Sequence, residues 1–113
     1  MQVNVSARHG QLAQQTKDKM VAKVEKLQRF YERVTSIQVT ADLESKDAPN
    51  VEIRVTAERA EDFVATDQGD LIGALESCIQ KIEHQLRKHK EKHSDHRAAS
   101  IKHMEVPEND GTQ

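Results

Sequence analysis

The chain opens on a strict alternation. Val3, Val5 and Ala7 fall on one side and Gln2, Asn4 and Ser6 on the other, which is the period of a half-buried strand. Arg8-His9-Gly10 interrupts it. From about Ala13 to Arg33 the apolar positions change to steps of three and four, with Met20, Val24, Leu27 and Tyr31 forming one helical stripe. Alternation then returns twice. Ile37, Val39, Ala41 and Leu43 predict a second strand, and Val51, Ile53, Val55 and Ala57 a third, with Lys46 to Asn50 as the turn between them. Phe63 to Thr66 reads as a short fourth strand. A long helix follows from about Gly69 to Lys92, carrying Leu71, Leu75, Cys78, Ile79, Ile82 and Leu86 on its apolar face.

The order β-α-β-β-β-α, with one-sided alternation in three strands, predicts an α+β two-layer sandwich. Its four-stranded sheet has one wet face and one face covered by both helices. The pattern dissolves near Ser94. The expected organisation is therefore one domain over residues 1–93 and a flexible, histidine-containing polar tail over 94–113.

At 113 residues, composition narrows the function classes. Apolar residues make up 35%, enough for a modest core, and aromatics only 3%, too few for a binder that stacks single-stranded bases on exposed rings. No apolar run approaches a membrane span, and the first residues lack the pattern of a signal peptide. The single cysteine, Cys78, lies on the apolar stripe and is expected to be a core residue of a reduced, cytoplasmic protein. There is no Gly-rich phosphate loop, nucleophile elbow or H-E-x-x-H motif, so no enzyme and no small-molecule substrate is expected.

The net charge of −2 conceals a sorting of charge along the chain. Residues 17–33 hold six basic side chains against three acids, residues 41–70 nine acids against three bases, and residues 81–103 seven bases against three acids, with five histidines. On the first helix Lys19, Lys23, Lys26, Arg29 and Arg33 share one flank of the stripe, while Asp18, Glu25 and Glu32 take the other. A helix shaped only by solubility would intersperse its signs, since opposite pairs at i,i+4 each add a few tenths of a kcal/mol. On the second helix Lys81, Lys88 and Lys92 share a flank, with His84 between them and Arg87 and Lys90 widening the basic field. Helix-dipole compensation accounts for some of these cations but not for a matching flank on another helix. The expectation is one positive surface on two adjacent helices, suited to the phosphates of structured RNA.

His89, His93 and His96 are spaced i, i+4, i+7 and in number suffice for zinc. No cysteine or carboxylate at helpful spacing completes a motif, and a solvated histidine-rich end is the ordinary reading, so no metal or cofactor is assigned.

The ordered set of elements, the run from Lys23 to Val34, the segment Asp70-Leu71-Ile72-Gly73-Ala74-Leu75-Glu76 and the run from Gln85 to Lys92 resemble the ribosome hibernation promoting factor and ribosome-associated inhibitor A family. Its members were long called sigma-54 modulation proteins. The resemblance covers residues 2–93. It implies a protein that sits in the small ribosomal subunit at the decoding region and occludes messenger and transfer RNA without chemistry. Basic residues of both helices would contact the ribosomal RNA. Lys23, Lys26, Arg29 and Arg33 match them by position on the first helix, as do Lys88, Lys90 and Lys92 on the second.

This chain departs from the pattern at His84, where an arginine is frequent, at Ile72 for a tyrosine, and at Ala13 for a Ser or Thr helix cap. It also ends before the dimerisation domain of the long forms, leaving a monomer off the ribosome as the expectation. Competing readings are a general structured-RNA binder, a protein-interaction adaptor using acids such as Glu52, Glu58 and Asp62, and, last, a metal-binding stress protein.

Overall fold

The computed structural model describes the backbone of residues 1–101 and the side chains of residues 1–92. Six elements follow in the expected order: β1 (Gln2–Arg8), α1 (Gln14–Phe30), β2 (Val34–Asp42), β3 (Asn50–Ala57), β4 (Phe63–Gln68) and α2 (Leu71–Ile101). The strands form one sheet in the order β1-β2-β3-β4. β1 runs parallel to β2, with Val5 opposite Val39, because α1 carries the chain back across the sheet. β2, β3 and β4 are antiparallel neighbours, with Ile53 opposite both Val39 and Ala65.

The alternating apolar residues face inward as expected. Ile37, Val39, Val51, Ile53 and Val55 meet Met20, Val24 and Leu27 of α1 and Leu75, Cys78, Ile79, Ile82 and Leu86 of α2 in one core. All twelve largest fully buried side chains belong to this layer between sheet and helices. Burying each Leu, Ile or Val there is worth about 1.5–3 kcal/mol, and that burial holds two helices of otherwise polar sequence onto the sheet. α1 lies over β1 and β2, α2 over β3 and β4, and the helices touch along their shared flank.

Several boundaries differ from expectation, among them β2, which begins at Val34 and ends at Asp42, leaving Leu43 beyond it. α1 stops at Phe30 rather than Arg33: Tyr31 takes an extended backbone (φ −145°, ψ 108°), donates its N–H to Leu27 O and still buries its ring. Tyr31 and Val34 are both buried and continue the steps of three and four that begin at Met20, so periodicity alone extends the helix too far. Arg33 therefore lies in the turn leading into β2, not on the α1 flank. β4 runs to Gln68 because Asp67, although charged, keeps its place in the ladder opposite Val51. α2 continues in backbone to Ile101, so residue 93 falls inside a helix rather than at its end. Residues 102–113 of the expected tail lie outside the described residues.

Ala13 caps α1 with suitable backbone angles (φ −62°, ψ 148°) but no side-chain hydrogen bond. α2 starts better: Asp70 Oδ2 accepts from Gly73 N at 3.1 Å and Asp70 O from Ala74 N at 2.8 Å. A Cβ on Gly73 would come within 2.5 Å of the Asp70 carboxylate, so the glycine leaves room for that cap. No described helix is long and apolar enough to cross a membrane.

Candidate functional site

At about 100° per residue, Lys19, Lys23, Lys26 and Phe30 occupy the α1 flank adjoining α2. By the same rule α2 divides its charges. Glu76, Glu83, Arg87 and Lys90 lie towards α1, whereas Lys81, Lys88 and Lys92 lie towards β4. Side-chain contacts fix both assignments. Lys23 Nζ is 2.8 Å from Glu76 Oε2 across the helix pair. Lys90 Nζ donates to Phe30 O at 3.2 Å and sits 5.6 Å from the Phe30 ring centroid, with the Arg87 guanidinium 5.4 Å from the same ring. Lys81 Nζ instead donates to Thr66 O at 2.8 Å and pairs with Asp67 at 3.6 Å.

The expected single surface is corrected accordingly. The α1 flank and the Lys81–Lys88–Lys92 stripe do not face one another across the groove, because the α2 apolar stripe must point into the sheet and its two flanks then open in opposite directions. What gathers along the groove is Lys19, Lys23, Lys26, Arg87 and Lys90, with Arg29 on the outer side of α1. His84 is exposed on the back of α2.

The cations also differ in commitment. Lys90 satisfies a carbonyl at the C-terminus of α1, which the helix itself leaves without a partner, and its charge suits that end of the dipole. Arg33 lies 3.9 Å from Glu58, and its carbonyl accepts from Glu58 N. Lys19, Lys26, Arg29, Arg87, Lys88 and Lys92 are exposed and make no ion pair with an acid among the described residues. Lys23 holds the Glu76 carboxyl below its ordinary pKa, chiefly through their hydrogen bond, with Lys26 adding to the effect, so Glu76 stays charged beside the groove.

Residues outside the groove take ordinary structural roles. His89 has its ring edge-on between Tyr31 at 5.5 Å and Phe63 at 5.4 Å. It thus joins α2, the end of α1 and the start of β4, while the side chains of His93 and His96 lie outside the described residues. Cys78 is fully buried, donates towards Val51 O at 3.4 Å, and has its thiol pKa pushed up to about 11 by that burial, so it is no nucleophile.

Two features escaped the sequence reading. His9, Asp42 and Glu44 converge at the far ends of β1 and β2, but Asp42 already accepts from the His9 ring at 2.8 Å and from Glu44 N at 3.1 Å and pairs with Arg8 at 3.6 Å. The cluster closes a strand end. The acids of the open sheet face are likewise matched: Arg54 pairs with Asp62 at 3.1 Å and Glu52 at 3.7 Å.

A sequence profile of the family described as Sigma 54 modulation protein / S30EA ribosomal protein matches residues 3–94. The chain belongs to this family. Among curated relatives, the ribosome hibernation promoting factor of Azotobacter vinelandii is 32% identical over 92 residues, covering 81% of this chain and 85% of that protein. The factor of the same name from Pseudomonas putida is 29% identical over 92 residues, covering 81% and 89%. Solved structures share the fold: a ribosomal subunit interface protein from Coxiella burnetii superposes with a TM-score of 0.70 at 16% identity, covering 80% of this chain and 98% of that one. The N-terminal domain of Thermus thermophilus Protein Y gives 0.68 at 19% identity, covering 78% and 98%.

Proposed function

We propose that this protein is a ribosome hibernation factor. It binds the small ribosomal subunit at the decoding region through the basic faces of α1 and α2 and excludes messenger and transfer RNA by occupancy, without catalysis. Family membership and the relatives' printed names support the ribosomal part of the reading. The observation that carries the RNA part is the gathering of Lys19, Lys23, Lys26, Arg87 and Lys90 along one inter-helix groove. Lys19, Lys26 and Arg87 there have no acid bound among the described residues. A groove lined by cations suits the phosphates of folded RNA, where shape and backbone contacts dominate recognition. The protein acts in the cytoplasm and is monomeric off the ribosome.

The adaptor reading needs available acids on the sheet face, and there Glu52 and Asp62 share Arg54 while Glu58 pairs with Arg33. A general RNA binder would use the same groove and differ only in preference.

Co-sedimentation with purified small subunits separates these readings. Saturable one-to-one binding is expected, resisting competition by an unrelated RNA hairpin at matched salt. A Lys26→Glu/Arg29→Glu variant of unchanged fold should bind at least tenfold more weakly. Wild-type protein left in the supernatant at low salt would sink the proposal, and equal displacement by the hairpin would favour the general binder.

A further inference from the structure

The groove contains a carboxylate where a phosphate ligand would be expected. Glu76 lies one and a half turns into α2, on the flank facing α1, and its Oε2 is 2.8 Å from Lys23 Nζ. The lysine side chain is 30% exposed and the glutamate 54%, so the pair lies at the groove mouth rather than in the core. Lys26 acts on the same carboxylate, as does Asp70 with opposite sign from the start of α2. An exposed ion pair of this kind adds little to stability, typically under about 1 kcal/mol, so its placement matters more for what Lys23 can bind than for holding the helices together.

We infer that Glu76 is an affinity-limiting residue of the interface: its carboxylate occupies Lys23 as a built-in competitor, and RNA phosphate gains that lysine only by displacing it. The inference rests on the part of that reading in which this groove faces RNA phosphates, ribosomal or not. A carboxylate and a phosphate oxygen offer Lys23 the same charge-assisted hydrogen bond, and the two anions cannot share the site without repulsion. Contact with RNA is therefore an exchange of anions at Lys23, unlike the simple gain of a partner at Lys26. Such a device weakens attachment to any polyanion that arrives and keeps the inhibitor releasable, a form of design against unwanted complexes.

The test is Glu76→Gln, which keeps the side-chain shape and removes the charge. Affinity is measured for small ribosomal subunits and, separately, for a model RNA duplex, from about 50 to 200 mM salt. The variant is expected to bind both several-fold more tightly at the low end. The slope of log K against log salt should steepen by about 0.7–0.9, the value of one added phosphate contact, so the gain shrinks about threefold across that range. In a Lys23→Gln background the gain should disappear, which a general change in net charge would not produce. Glu52→Gln, on the open sheet face opposite the helices, removes the same charge away from the groove and should leave both affinities unchanged.

Unchanged or weaker binding by a folded Glu76→Gln protein would overturn the inference, as would a gain that persists without Lys23. If wild type ignores small subunits while Glu76→Gln still tightens duplex binding through Lys23, the ribosome reading fails and this one stands. Absence of RNA binding by either protein overturns both.

Discussion

An ammonium group on four methylenes serves whichever oxygen it reaches first, and three lysines of one formal kind have here found three different partners. Lys23 meets a carboxylate, Lys81 a strand carbonyl and Lys90 a helix-end carbonyl. These partners lie 53, 15 and 60 residues away in sequence, so nothing in the local pattern of charge announces them. The sequence does reveal which residues are basic and which helix flank they share. It does not reveal which are spent internally, because that depends on how far apart the packed core places two elements.

Asp67 is a similar case. It sits on the inward face of β4, where alternation leads one to expect an apolar residue, and the Ser77 hydroxyl, the Gln68 N–H and Lys81 hold its carboxyl below the ordinary pKa. The folded protein thus binds this proton more weakly than the unfolded chain. The resulting stability is present above the unfolded value of about 3.9 and is lost as pH falls through the depressed folded value. Urea unfolding of Asp67→Asn should show lower stability than wild type at pH 6–7, with the two curves converging at lower pH. A deficit that persists undiminished into strong acid would assign the loss to packing instead.

Among elements, the strands were legible because a period of two leaves little freedom: one slip of register would turn Ile37, Val39 and Ala41 into solvent. The helix boundaries were less so. Tyr31 keeps the helical spacing although its backbone is extended, so periodicity carries α1 three residues too far, and Ala13 offers no capping oxygen to mark its start. That missing cap can be supplied. Ala13→Ser or Ala13→Asp already finds extended backbone at the right position and should raise unfolding stability by about 0.5–2 kcal/mol in chemical denaturation. Unchanged stability would mean that water already serves those N–H groups equally well.

The β4 edge of the sheet is covered by side chains of α2. α2 lays Lys81 Nζ on Thr66 O and Gln85 Nε2 on Val64 O, at 2.8 and 3.0 Å, so that side chains occupy the carbonyls β4 turns outward. An open edge strand is a template for pairing with another chain. The Lys81→Ala/Gln85→Ala protein should therefore self-associate with rising concentration, visible by light scattering, while wild type remains monomeric. A monomeric variant would contradict the edge role. The same contacts explain why Lys81, which by sequence alone looks like any exposed basic residue of α2, is turned towards the sheet.

For the molecule as a whole, the core sets the geometry and the charges use it. Both helices must point their apolar stripes into one sheet, so only one flank of each can face the other. That constraint decides that Lys19, Lys23 and Lys26 are joined by Arg87 and Lys90 rather than by Lys88 and Lys92. A net charge of −2 coexists with this basic groove because, Glu76 and Glu83 apart, the acids lie away from it, Glu52 and Asp62 among them paired with Arg54 on the open sheet face. Binding through the groove should weaken steeply with salt, as expected when phosphates release their counterions to several cations at once.

Exclusion by occupancy is tested most directly by competition on the small subunit itself. Labelled transfer RNA is bound to purified small subunits programmed with a short messenger, and this protein is titrated in. Bound transfer RNA is expected to fall to baseline as the protein saturates one site per subunit, and excess messenger and transfer RNA to restore it. A stable complex holding the protein, messenger and transfer RNA together at saturation would contradict exclusion by occupancy.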